Sequence, residues 1–131
     1  MKMNNINKGL TFITISLIIL GIFSVEYLRP KLPYNIFLGA LPNFIGAFVM
    51  YNIFFSFFER TIKMKNLKNV RFRLIFLGVS IFLFFTLEEF FPFFTASKTL
   101  DLYDILASAL GVLFAYLIFE KIIKLKNDKK N

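Results

Sequence analysis

Four long apolar runs of low charge, divided by short charged stretches, decide what this chain can fold into. A run of about 20 such residues, rising 1.5 Å per helical residue, is long enough to cross the ~30 Å hydrocarbon core of a bilayer. Inside hydrocarbon only a helix or a closed barrel satisfies every backbone N–H and C=O. The runs give helices at about 10–28, 36–58, 74–91 and 101–119, with a basic loop at 59–73 and a tail at 120–131. The predicted fold class is therefore all-α. The chain reads as a polytopic membrane protein with four transmembrane helices in an up-down bundle, one membrane domain over residues 1–131. Composition agrees. Hydrophobic residues make up 57% of the 131 positions, and soluble domains usually hold about 45–50%. The mean hydropathy is +0.67.

The first run has 16 uncharged residues, 10–25, behind Lys2 and Lys8. It is long for the apolar part of a signal peptide, and no small-x-small cleavage site follows it. It reads as a retained helix. The second run carries Pro42 and Asn43. A proline there kinks the helix or marks a turn near its start. In the third run only 14 residues separate Arg73 from Glu88. Either that helix is short, or Glu88 and Glu89 lie just inside the outer interface.

Lys and Arg set the orientation, because cytoplasmic loops retain them in excess. Two lie in the N-terminal tail (Lys2, Lys8) and six at 59–73 (Arg60, Lys63, Lys65, Lys68, Arg71, Arg73). Five more lie after the last run: Lys121, Lys124, Lys126, Lys129 and Lys130. These thirteen of 16 fall on one side only if the chain crosses four times. Arg29, Lys31 and Lys98 remain for the other side. Both termini are then cytoplasmic in a cell membrane, with anionic lipids as the partners of the basic face. The net charge of +8 is thereby explained by insertion, and no DNA or RNA module fits the chain. Five of the eight acids fall on the outer side: Glu26, Glu88, Glu89, Asp101 and Asp104. Acids contribute little to orientation, so that asymmetry is not forced by insertion.

There is no Cys and no His. That removes thiolate nucleophiles, thiolate zinc sites and imidazole bases together. With no nucleophile–base set, the chain is expected not to be an enzyme, and no cofactor or metal is expected.

The candidate groups gather on the outer side. Asp101 and Asp104 open the fourth run, where both would cap free N–H groups and favour the helix dipole. Asp104 also shares a helical face with Ala107, Ser108, Gly111 and Ala115. Small residues four apart let another helix approach closely, so Asp104 points into the bundle, where an ionisable group needs a partner. Gly39, Asn43, Gly46 and Ala47 form a facing stripe on the second run. The Asn43 amide could bond Asp104, bond a ligand, or make a structural bond between helices. Glu88 and Glu89 are adjacent and cannot share a face, so at least one points inward, with Lys98, Arg29 and Lys31 as available partners.

Glu89, Lys98, Thr99, Asp101, Asp104, Ser108 and Gly111 follow one another at a spacing that resembles the VanZ-like family of small bacterial membrane proteins. Those proteins carry a Glu, an Arg-Thr pair about nine residues on, two acids three apart, then Asn and Gly in the helix. The resemblance covers about residues 85–120. Here Lys98 stands for the Arg, Ser108 for the Asn, and Pro92 where Gln is usual. A lysine cannot grip a carboxylate or phosphate bidentately, which weakens anion recognition. The resemblance implies a cell-envelope role and does not imply antibiotic resistance. The expected site is an outer-facing polar pocket of Glu89, Lys98, Thr99, Asp101, Asp104, Ser108 and Asn43, contacting an envelope lipid, a wall precursor or a partner protein. The alternatives are a small transporter subunit working as a homo-oligomer, favoured by the small-residue stripe, and a purely structural accessory protein.

Overall fold

The computed structural model of the chain describes residues 3–32, 35–61, 67–91 and 101–128. Every element among them is helical: α1 (Met3–Phe23) running into a π-helical turn (Ser24–Leu28), α2 (Ile36–Thr61), α3 (Leu67–Phe90) and α4 (Leu102–Asp128). Four stretches are long and apolar enough to cross a membrane: Gly9–Leu28, Ile36–Phe57, Val70–Phe90 and Leu102–Ile123. By length and composition each of the four could span a membrane.

The helices outrun the apolar stretches that announce them. α3 begins at Leu67 instead of 74 and α2 runs to Thr61, so residues 59–61 and 67–73 of the predicted loop, with Arg71 and Arg73, are helical. α4 continues to Asp128 instead of stopping near 119. Lys, Arg and Glu are good helix formers, so the hydrogen-bond ladder continues where the apolar pattern stops. Hydropathy marks the end of a membrane span and not the end of a helix.

Local chemistry explains the other boundaries. In the π turn the Arg29 N–H donates to Ser24 C=O, five residues back, at 2.9 Å. The extra residue shifts the following side chains out of α-helical register. Asn35 caps α2. Its Oδ1 accepts the Leu38 N–H at 3.2 Å, and its carbonyl accepts the Gly39 N–H at 3.0 Å. Pro42 lies inside α2 and does not end it.

α2 is the hub. It packs against α1, α3 and α4, and its contact with α4 is the most extensive in the molecule. Among the described residues α1 packs, beyond the π turn that continues it, against α2 and no other helix. The reason for the close α2–α4 contact is Gly111. A Cβ at that position would lie 2.3 Å from the Phe44 carbonyl oxygen and 3.2 Å from the Ala47 Cβ. Only glycine permits that approach of two backbones. The predicted stripes meet here through Gly111 and Ala47, but Gly46 turns instead to Phe85 of α3.

Below that contact Tyr51, Phe55 and Phe119 form an aromatic stack, with ring centroids 5.6 Å (Tyr51–Phe119) and 4.1 Å (Phe55–Phe119) apart. The fully buried Tyr51 hydroxyl donates to the Leu74 carbonyl at 2.9 Å, joining α2 to α3. Buried Asn52 ties α1 to α2 by donating to the Thr14 hydroxyl and to the Leu10 carbonyl. The Arg71 guanidinium and the Glu120 carboxylate pair at 3.2 Å between the start of α3 and the latter part of α4. Phe12, Phe37, Phe72, Phe76 and Leu102, all more than 60% exposed, point outward. Large apolar side chains facing outward on every helix suit a surface solvated by hydrocarbon and not by water.

Candidate functional site

The site lies where the first turns of α2, the last turn of α3 and the first turn of α4 converge. α2 contributes Asn43, two turns past the Asn35 cap, and α3 contributes Glu89, next to its last residue. The Asn43 amide donates to Glu89 Oε1 at 3.2 Å. Of the two adjacent glutamates, Glu89 is thus the one turned toward α2. Glu88, also half-buried, lies on a different face.

The two aspartates divide the roles expected of both. Asp101 is the cap of α4. Its Oδ1 accepts the Tyr103 N–H at 2.8 Å, and its carbonyl accepts the N–H groups of Asp104 and Ile105. Asp101 is exposed and its side chain is committed to this role. Asp104 is different. Its Oδ1 is buried and has no hydrogen-bond partner among the described residues. Glu89, Asp101 and Arg29 are the charges that act on it, and the Asn43 side chain also reaches it. An orphaned buried carboxylate oxygen is a costly feature that needs an explanation.

Among the described residues Arg29 supplies a cation. It follows the π turn at the end of α1, and its Nη2 lies 3.9 Å from where a Cβ on Gly39 would stand. Gly39 therefore leaves room for the guanidinium over the first turn of α2. Lys98 and Thr99, the other polar groups expected here, lie outside the described residues. Ser108 is almost fully buried one turn below Asp104, and its hydroxyl donates to the Asp104 carbonyl at 2.9 Å. That bond stays within α4, so the Ser108 donor serves the helix and is not offered to a ligand.

The structure thus brings Asn43, Glu89 and Asp104 together, assigns Asp101 to capping and Ser108 to its own helix, and places Arg29 beside them. The sequence offered Arg29 only as one of three available cations. What selects it is the π turn, which leaves no mark in the hydropathy pattern. The buried Asn52–Thr14 and Tyr51–Leu74 bonds were also not foreseen. Their only signal was a polar residue in the middle of an uncharged run. No group of three or more Asp or Glu residues that could hold a metal ion occurs among the described residues.

Neither a protein-family profile nor a curated protein nor a solved structure matches this chain.

Proposed function

We propose that the chain is a four-pass protein of the cell membrane, an up-down bundle with both termini in the cytoplasm, that recognises an envelope molecule through the polar site at its outer end. The distribution of Lys and Arg supports the orientation. Polar groups at both ends of the helices, Asn43, Glu89 and Asp104 at one and Arg71 and Glu120 at the other, suit a bundle with two aqueous faces. The spacing that resembles the VanZ-like proteins supports an envelope role.

The observation that carries the reading is the Asp104 Oδ1, buried and without a hydrogen-bond partner among the described residues, beside the Asn43–Glu89 bond. Such an oxygen asks for a hydrogen-bond donor, and Arg29 at the rim offers donors in return. A ligand with both kinds of group suits the site: an envelope lipid or lipid-linked wall precursor at this membrane depth, or the polar surface of a partner protein. The small-residue stripe of α4 gives no support to an oligomeric transporter, because Gly111 and Ala115 are buried inside the chain's own fold.

Thermal unfolding of the purified protein with and without a total lipid extract of its own envelope tests this reading. Ligand at about 100 times its Kd stabilises the folded state by about 2.7 kcal/mol. The wild-type protein gains Tm with the extract, whereas Asp104→Asn and Glu89→Gln fold but lose the gain. An equal gain in all three proteins, with unchanged envelope phenotypes, overturns the proposal.

A further inference from the structure

A groove of about 490 Å³ runs between α2 and α3, well away from the polar site. Met50, Phe54 and Phe55 of α2 form one wall, and Leu77, Ile81 and Phe84 of α3 form the other. Ser80 also lines it, but its hydroxyl donates to the Phe76 carbonyl at 2.9 Å, so the walls present no unpaired donor. Arg73 closes one end.

The two arginines at the start of α3 are two positions apart, so they leave the helix in different directions. Arg71 is paired with Glu120 of α4. Arg73 turns to the groove, and no acidic partner for it occurs among the described residues. The groove follows α3 from Arg73 to Phe84, which at 1.5 Å per residue is about 17 Å. One leaflet of the hydrocarbon core is about 15 Å deep. The groove therefore has the depth of one acyl chain and a cation where that chain's headgroup would begin.

We propose that this groove is a lipid site: it seats an acyl chain of an anionic phospholipid from the cytoplasmic leaflet, and Arg73 pairs with the headgroup phosphate. The proposal rests on the orientation argued above, which places Arg73 at the cytoplasmic surface. Charge complementarity selects the occupant. The basic stretch at 59–73 concentrates anionic headgroups at that surface, and basic pockets between transmembrane helices on the cytoplasmic side hold such lipids.

The chain has no Trp, so one introduced Trp reports on one place. Phe76 borders the groove and Phe12 lies on the outer surface of α1, and both are exposed. The full-length protein carrying Phe76→Trp or Phe12→Trp is placed in vesicles containing brominated phosphatidylglycerol or brominated phosphatidylcholine, and Trp quenching is measured. At Phe76→Trp the anionic lipid is expected to bind about fivefold more tightly, corresponding to the ~1 kcal/mol of one basic residue at the surface. The preference is expected to be weaker at Phe12→Trp, to disappear when Arg73→Gln is added, and to survive Arg73→Lys. Equal preference at both reporters, or a preference that survives Arg73→Gln, overturns the site. So does a Phe76→Trp that neither lipid quenches, because a second copy of the chain then fills the groove.

Discussion

Asn43 and Asp104 show how differently two polar residues at one end of the helices can be placed. Asn43 makes a direct bond between helices, to a carboxylate. Bonds of this kind average about 0.6 kcal/mol in membrane proteins and reach about 1.7. Asn43→Ala removes the Glu89 donor and is expected to cost about 1 kcal/mol, read as a lower midpoint of unfolding in mixed detergent micelles. Asp104 makes no such bond through Oδ1 among the described residues and faces two other acids, Glu89 and Asp101. A neutral isostere there removes like-charge repulsion without removing volume. Asp104→Asn is accordingly expected to leave stability unchanged or raise it, in the direction opposite to Asn43→Ala. A binding residue and a structural residue are separated by the sign of those two effects. The expectation that Asp101 and Asp104 cap α4 was right for Asp101. It was incomplete for Asp104, because a carboxylate three residues into a helix caps or points inward according to which neighbouring helix stands beside it.

Among the elements, the α2–α4 contact sets the geometry on which the site depends. Gly111 holds the two backbones close enough for Asp104, two turns earlier on α4, to reach the Asn43 side. Gly111→Ala drives a methyl group into the Phe44 carbonyl, an obstacle of backbone that cannot rotate away. It is expected to destabilise by at least about 2 kcal/mol, at the upper end of ordinary overpacking. A Cβ on Gly9 meets nothing within 4 Å, so Gly9→Ala is expected to be neutral or to stabilise slightly through helix propensity. Unfolding midpoints of the two variants, measured side by side, check the contrast. The small-xxx-small spacing around Gly111 was legible in the sequence because its cause is local periodicity. The division of the facing stripe, with Gly46 turning to Phe85 and Gly39 to Arg29, was not legible. It depends on where the third helix and the π turn stand, and no spacing within α2 encodes either. The helix limits at Leu67 and Asp128 escaped the apolar pattern for a related reason, since that pattern reads solvent and not backbone.

Across the molecule as a whole, two charge asymmetries meet. The proposed insertion accounts for the basic residues on one side, and two of the acids on the other, Glu89 and Asp104, belong to the candidate site. The orientation of the four helices therefore decides whether Asn43, Glu89, Asp104 and Arg29 face the envelope or the cytoplasm. The chain contains no Cys, so single cysteines can be read without background. Lys31, Tyr103, Arg73 and Lys121 are all exposed and close to the limits of the candidate spans. The most direct test is labelling of whole cells with a membrane-impermeant maleimide. Lys31→Cys and Tyr103→Cys are predicted to react in intact cells, and Arg73→Cys and Lys121→Cys only after permeabilisation. The reverse pattern, or labelling of Lys31→Cys and Tyr103→Cys from opposite sides, would contradict the account, because the polar site would then not face the envelope.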